Sequence, residues 1–404
     1  MSETTAPRQA GRPWRLPMVG RDQAEPHRAS TPLELLFDLS FVVAVAQGAG
    51  QLHHSLAEGQ VAHGVIGYAV AFFAIWWAWV NFTWFASAYD TDDVLYRLLT
   101  LVQIAGALVL AAGIPAAFER FDFTVPVIGY VIMRLALLAQ WLRAARDDPA
   151  GRPAALRYAV GVSVCQVAWI LRLFLPVPWS WIAFVAIAIA DLLVPLWAET
   201  RGSGTSWHPG HIAERYGLFT LIVLGESISA ATLAIQSGIS DHGVSVPLMV
   251  IAAGGLILLF GLWWSYFKHD TVDDLDSLDT AAVWAYVHFG IFAAIAAVGA
   301  GLQVVAQTAN HTTHLSPTAA AYTVAVPVAV FLVLASVMRA AGRQGGRTLR
   351  RVLAGALLVL VVPLASGVLS LAGVIVAIGL ILAALITVSV IQSNRRAALA
   401  TAAG

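Results

Sequence analysis

Apolar residues run along this chain in blocks of about twenty, parted by short stretches where Arg, Asp, His, Gly and Pro gather. A helix rises about 1.5 Å per residue, so each block is long enough to cross roughly 30 Å of hydrocarbon. Twelve such spans are expected, at about 32–52, 61–87, 94–114, 123–145, 154–175, 178–200, 211–237, 244–268, 280–305, 317–340, 349–368 and 369–391. Almost no polar turn separates Gly367 from Ala372, so the last two also read as one long segment, giving eleven spans. The pattern predicts an all-α integral membrane protein with about twelve transmembrane helices.

Composition agrees. The chain is 59% hydrophobic and 11% charged, against about 25% charged in ordinary soluble proteins. Its 23 Lys and Arg balance 23 Asp and Glu, so no global charge points to nucleic acid as a partner. The single cysteine, Cys165, has no partner for an internal disulfide. Residues 1–30 are polar and Arg-bearing without an apolar core, which reads as a cytoplasmic tail and not a signal peptide.

Arginine placement orients the spans. Arg8, Arg12, Arg15, Arg21 and Arg28 precede the first; Arg143, Arg146, Arg152 and Arg157 lie between the fourth and fifth. Arg339, Arg343, Arg347, Arg350 and Arg351 lie between the tenth and eleventh, and Arg395 and Arg396 follow the last. Twelve spans put all of these on one side, so the positive-inside rule makes both termini cytoplasmic. Eleven would put Arg395 and Arg396 outside.

A sparse internal repeat accompanies this topology. Glu34 and Glu214, Trp84 and Trp264, and Asp90 and Asp270 are each 180 residues apart. The expected organisation is a tandem repeat: a tail at 1–30, six-helix halves at 31–200 and 201–392, and a C-terminal tail at 393–404. Transporters built from parallel repeats place their binding sites near the midplane between the halves.

Three segments carry a family resemblance. Thr31-Pro-Leu-Glu-Leu-Leu-Phe-Asp-Leu-Ser-Phe opens the first span. His211-Ile-Ala-Glu-Arg-Tyr-Gly-Leu-Phe leads to Leu224-Gly-Glu-Ser-Ile, and Trp263-Trp264 with Tyr266-Phe267 precedes Asp270. Together they resemble the bacterial low temperature requirement protein A family over about residues 30–390. That resemblance implies a multi-pass protein of the bacterial cytoplasmic membrane, named for a cold-growth phenotype, and implies no reaction.

Ionisable residues inside the spans are the candidate functional groups, because a charge at the bilayer centre costs at least about 2.5 kcal/mol on insertion scales. Glu226 lies deep in the seventh span. Arg134 and Arg172 fall at depths that suit pairing with it, and depth alone does not choose between them. Asp191 and His288 match in depth as a second pair containing a titratable base. One reading is a proton or substrate relay, in which separating a carboxylate from its arginine loads or releases a proton. The plain alternative is a static pair that holds helices together.

Nearer the cytoplasmic edge, Glu34 and Asp38 stand one turn apart on one helix face, and Asp90, His211, Glu214, Arg215 and Asp270 fall at similar depth. A salt-bridge cluster is the expected role. His208, His211 and Glu214 have helical metal spacing, but Pro209 is expected to end that helix before it begins, and no metal or cofactor is expected. Trp76, Trp77 and Trp79 read as interfacial or lipid-facing packing, with a ligand cavity as the other possibility. No phosphate loop, nucleophile elbow or zinc-protease motif is present, so an enzyme is not expected. The leading expectation is a proton-coupled secondary transporter of an unknown small molecule or ion, with Glu226 as the titrating group. The alternatives are a non-transporting receptor or accessory protein linked to lipid or cold adaptation and, last, an intramembrane enzyme.

Overall fold

Helix signals at the ends of the apolar blocks are used as such. A computed structural model describes residues 13–22, 25, 29–202, 204–268, 275, 277–341 and 346–403. Thr31 and Glu34 cap the first helix reciprocally: the Thr31 N–H and hydroxyl donate to Glu34 Oε2 at 2.7 and 2.9 Å, and the Glu34 N–H donates to Thr31 Oγ1 at 3.3 Å. Ser277 and Thr280 form another such box, and Ser245 caps a third helix by accepting from the Leu248 N–H.

The helices are α1 (Pro32–Ala57), α2 (Val61–Ala88), α3 (Val94–Arg120), α4 (Thr124–Asp147), α5 (Arg152–Arg172), α6 (Trp179–Thr200), α7 (Pro209–His242), α8 (Val246–Phe267), α9 (Leu278–Ala309), α10 (Pro317–Ala341), α11 (Gly346–Val361) and α12 (Ser366–Ala403). All regular structure among the described residues is helical. Eleven helical segments are long and apolar enough to span a bilayer, the last being Leu349–Arg395. The chain is a multi-pass membrane protein.

That last segment is two helices. A 3-10 turn at Val362–Ala365 interrupts it, and Ser370 has non-helical backbone (φ 60°, ψ 163°). Arg351 donates to Gln392, and a Cβ on Gly355 would lie 2.5 Å from Leu385 Cδ1. Such contacts between residues so far apart in sequence require the chain to reverse near Ser370, so α11 and α12 form an antiparallel hairpin. Two other expectations change. Pro209 does not stop a helix but occupies the first position of α7, where its missing N–H costs nothing. Residues after 392 are not a loose tail; α12 runs on to Ala403 through an Ala-rich stretch of high helix propensity.

Contacts divide the chain into two compact units that cut across the sequence halves. The first comprises Met1–Phe37, Val80–Leu110 and Phe123–Ile212; the second comprises Asp38–Trp79, Ala111–Asp122 and Ala213–Gly404. In the first, α3 and α4 approach closely at two glycines: a Cβ on Gly106 would lie 2.7 Å from both the Gly129 carbonyl oxygen and Met133 Cγ. Small residues at such crossings let helix backbones touch where no water-driven hydrophobic force acts between them. Trp141 of α4 stacks on Tyr158 of α5 at 4.2 Å. In the second unit, Trp76 and Trp77 are core residues, 2% and 0% exposed, and pack against Tyr286 of α9. They are therefore neither interfacial nor lipid-facing.

The N-terminal segment is also more than a tail. Residues 13–22 lie against the α2–α3 turn and the end of α4. The Leu16 N–H donates to Asp93 Oδ2 at 2.6 Å, and Arg143 holds both the Leu16 carbonyl (2.6 Å) and the Asp93 carboxylate. Arg15 pairs with Asp147 at 2.7 Å, and the Arg21 N–H donates to the Ala88 carbonyl at 3.0 Å. Burial raises the pKa of Asp93, but the bonds from Arg143, Tyr96 and Leu16 outweigh it and hold the carboxyl below its ordinary value.

Candidate functional site

Antiparallel packing of α4, α5 and α6 brings one intramembrane residue of each helix together in the first unit. Arg134 of α4 and Asp191 of α6 are 3% and 2% exposed, with Nη2 and Oδ2 3.6 Å apart. Trp169 of α5 donates its indole N–H to Asp191 Oδ2 at 3.1 Å. Tyr130, one turn before Arg134, accepts from Nη2 at 3.3 Å and lies under the guanidinium at 5.0 Å. Cys165 is close enough to interact electrostatically with both Arg134 and Asp191.

The cluster is incompletely satisfied. Arg134 Nη1 is buried without a hydrogen-bond partner among the described residues, and so are both side-chain amide atoms of Gln166 on α5. A guanidinium carries five N–H donors, and an unmet polar group in hydrocarbon costs several kcal/mol. The site therefore has room in its hydrogen bonding for a further acceptor.

Arg172, at the end of α5, is 3% exposed and lies over the rings of Phe123, Phe184 and Trp169 at 4.6, 5.2 and 5.8 Å. Its Nε donates to the Ser180 carbonyl at 3.0 Å, and no acid pairs with it among the described residues. The expected pairing of Glu226 with Arg134 or Arg172 is thus corrected: Asp191 is the carboxylate of Arg134, and ring faces and a carbonyl hold Arg172. Depth along the membrane normal was matched, but the direction around each helix axis was not fixed by it. Glu226 itself is half-buried on α7, with no hydrogen bond or ion pair among the described residues.

His288 is not the partner of Asp191 either. In the second unit its Nδ1–H donates to the Trp284 carbonyl at 2.7 Å, which leaves Nε2 to meet the Tyr266 hydroxyl at 2.9 Å. Trp284 and Tyr216 pack on its ring at 4.1 and 4.9 Å.

Residues of the expected edge cluster make ion pairs within each unit. Glu34 Oε1 lies 3.1 Å from His211 Nε2 in the first unit. In the second, Arg215 grips Asp38 in a bidentate pair, Nε to Oδ2 at 2.9 Å and Nη2 to Oδ1 at 2.6 Å, both side chains fully buried. Trp79 adds its indole N–H to Asp38 Oδ1 at 2.6 Å and stacks on Phe219 at 4.3 Å. Asp90 lies 3.4 Å from Arg21. Glu214 is half-buried on α7, and Asp270 lies outside the described residues. His208, on the metal-like spacing, instead begins α7: its Nδ1 accepts from the His211 N–H at 3.3 Å and its carbonyl from the Ile212 N–H at 3.1 Å.

Sequence reasoning passed over Trp169, Tyr130 and Gln166. The helical spacing held a signal: Tyr130 is four residues before Arg134, and Trp169 three before Arg172. Trp79 was noticed, but its carboxylate partner was not.

The three segments that carried the resemblance fall in α1, α7 and α8, two of them supplying the Arg215–Asp38 pair. The family model for the bacterial low temperature requirement A protein (LtrA) matches residues 29–389. The chain belongs to the LtrA family. It is also 28% identical over 288 residues to an uncharacterised protein of Rhizobium meliloti (strain 1021), a match covering 66% of this chain and 66% of that relative. The alignment thus spans just under two thirds of the relative's length. By its own helices this LtrA-family chain is a multi-pass membrane protein.

Proposed function

We propose that this LtrA-family protein is a proton-coupled secondary transporter of the bacterial cytoplasmic membrane, with both termini cytoplasmic and the Arg134–Asp191 pair as its coupling site. The observation that carries this reading is the unmet Nη1 of Arg134 beside a buried carboxylate in the α4–α5–α6 bundle. A purely structural pair is expected to close its hydrogen bonds, as Arg215 and Asp38 do. A coupling pair has to open, and incomplete bonding lowers the cost of opening. Protonation of Asp191 removes its charge and frees the guanidinium for solute; deprotonation restores the pair and expels it. Glu226, without a partner among the described residues, serves as a second protonatable group on α7. The protein acts as a carrier and not as an enzyme.

Proteoliposomes loaded with a pH-sensitive dye test this. Pools of organic acids, amino acids and sugars are added outside, and dissipation of an imposed pH gradient is followed. At least one pool is expected to collapse the gradient faster than in protein-free vesicles through the wild-type protein and not through Asp191→Asn, rates being taken above that blank. Collapse by no pool, or equal collapse by the variant, contradicts the proposal.

A second reading has one observation in its favour. The Arg215–Asp38–Trp79 network is fully buried and bidentate, as a rigid receptor or accessory protein requires. That reading expects a stable partner protein or lipid and no solute-driven proton movement.

A further inference from the structure

Around Trp169 the α4–α5–α6 bundle gathers two guanidinium groups and one carboxylate. Arg134 faces Asp191, whereas Arg172 has no acid beside it among the described residues. Trp169 links the two, donating to Asp191 and presenting its ring to Arg172. With all three ionised, this cluster carries one more positive than negative charge. In a medium of low dielectric that excess draws an anion far more strongly than at a wetted surface. The bonding shortfall points the same way, because Arg134 Nη1 offers an unused N–H edge. A charged donor is met best by an acceptor with negative charge.

The surroundings limit the rest of the ligand. Tyr130, Trp169, Phe123 and Phe184 are the rings around the two arginines. They suit an apolar or aromatic body and offer little to a strongly hydrated ion. A guanidinium fork matches the planar geometry of a carboxylate.

We propose that this cluster is a binding site for a monovalent carboxylate with an apolar or aromatic body, held through Arg134. The proposal rests on the transporter reading, to which it adds the class of solute. Its carboxylate competes with Asp191 for one guanidinium. The charged and titratable groups facing Asp191 are Arg134 and Tyr130 from α4 and Cys165 from α5, with Arg172 behind Trp169. Removing the Asp191 carboxylate removes the competitor, so binding tightens. One carboxylate charge then replaces the other, and the cluster has the same net charge empty and loaded.

Radiolabelled benzoate binding to the purified full-length protein in nanodiscs tests the site, with unlabelled benzoate, acetate and nitrate as competitors and protein-free nanodiscs as the blank. Benzoate is expected to bind above the blank and to be displaced poorly by nitrate. Asp191→Asn is expected to bind roughly tenfold more tightly than wild type. Arg134→Lys keeps the charge and loses the fork, so roughly tenfold weaker binding is expected even where Arg134→Gln fails to fold. Absence of benzoate binding, wild-type binding in Arg134→Lys, or displacement by nitrate as effective as by benzoate overturns the proposal. Binding with this pattern but without solute-driven proton movement in vesicles leaves the carboxylate site standing and defeats the transporter reading alone.

Discussion

Arg134 and Asp191 approach to 3.6 Å without a hydrogen bond between them, while Arg215 and Asp38 are locked by two hydrogen bonds of 2.9 and 2.6 Å. Both pairs lie among membrane-spanning helices and are nearly or fully inaccessible. The difference is in how the charges are held. Arg215 and Asp38 use both branches of the fork, and Trp79 fills a further lone pair of Asp38. Arg134 spends one nitrogen on Tyr130 and leaves another unused. One pair is built to stay shut; the other is built so that a competitor can open it.

Unequal stability costs follow. Asp38→Asn leaves a buried guanidinium that had two bonds to a carboxylate, and removal of one partner of such a pair costs about 3–5 kcal/mol. Asp191→Asn loses a contact without direct hydrogen bonds and is expected to cost about half as much or less. Thermal unfolding of both variants in one detergent compares them directly. Equal destabilisation contradicts the distinction between the pairs.

Trp79→Phe preserves most of the packing on Phe219 and Tyr216 but removes the donor to Asp38. A hydrogen bond to a charged acceptor is worth about 1.5–3 kcal/mol, so a clear drop in unfolding temperature is expected. Phe73→Leu, at a half-buried ring in the same unit, is the control and is expected to change it less.

The hairpin of α11 and α12 predicts a crosslink. Arg351→Cys with Gln392→Cys, in a Cys165→Ser background, is expected to join rapidly through a short bifunctional reagent. A single continuous helix would hold these positions about 60 Å apart. Intact protein mass before and after treatment reads the result, and no intramolecular adduct would falsify the hairpin.

The N-terminal segment is expected to loosen in acid. Asp93 has a folded-state pKa below its unfolded value, so its contribution is present above the ordinary carboxylate range and is lost as pH falls through the folded value. Hydrogen exchange in residues 13–22 is expected to quicken over that fall. In Asp93→Asn it is expected to be fast already at neutral pH and to vary less with pH.

Much of the fold was legible because membrane insertion imposes its own length on each helix. Helix ends at Ala57, Ala88 and Thr200 lie within a few residues of where the apolar blocks run out. Arginine counting favoured twelve spans; eleven helical segments are long and apolar enough to cross, and the last of them folds back near Ser370. The site was legible only in part. Burial cost singled out Glu226, Arg134, Arg172, Asp191 and His288; the last four are buried, and Glu226 is half-buried. Their partners were not readable, because depth follows from residue number whereas azimuth depends on how each helix is rotated against its neighbours. Tyr266 and the Trp284 carbonyl therefore took His288, and Asp191 took Arg134. The N-terminal strap was missed for another reason: its bonds are mostly to backbone, and a polar Arg-bearing stretch has the composition of a free tail.

Coupling at Asp191 is the claim on which the account depends most. Its most direct measurement is accumulation of hippurate, an aromatic carboxylate whose amide slows unaided crossing, in proteoliposomes under an imposed pH gradient, comparing wild type with Asp191→Asn and with protein-free vesicles. The account predicts uphill accumulation by wild type above the protein-free blank that vanishes without the gradient, and exchange without accumulation above the blank by the variant. Uphill accumulation by Asp191→Asn equal to wild type would contradict it.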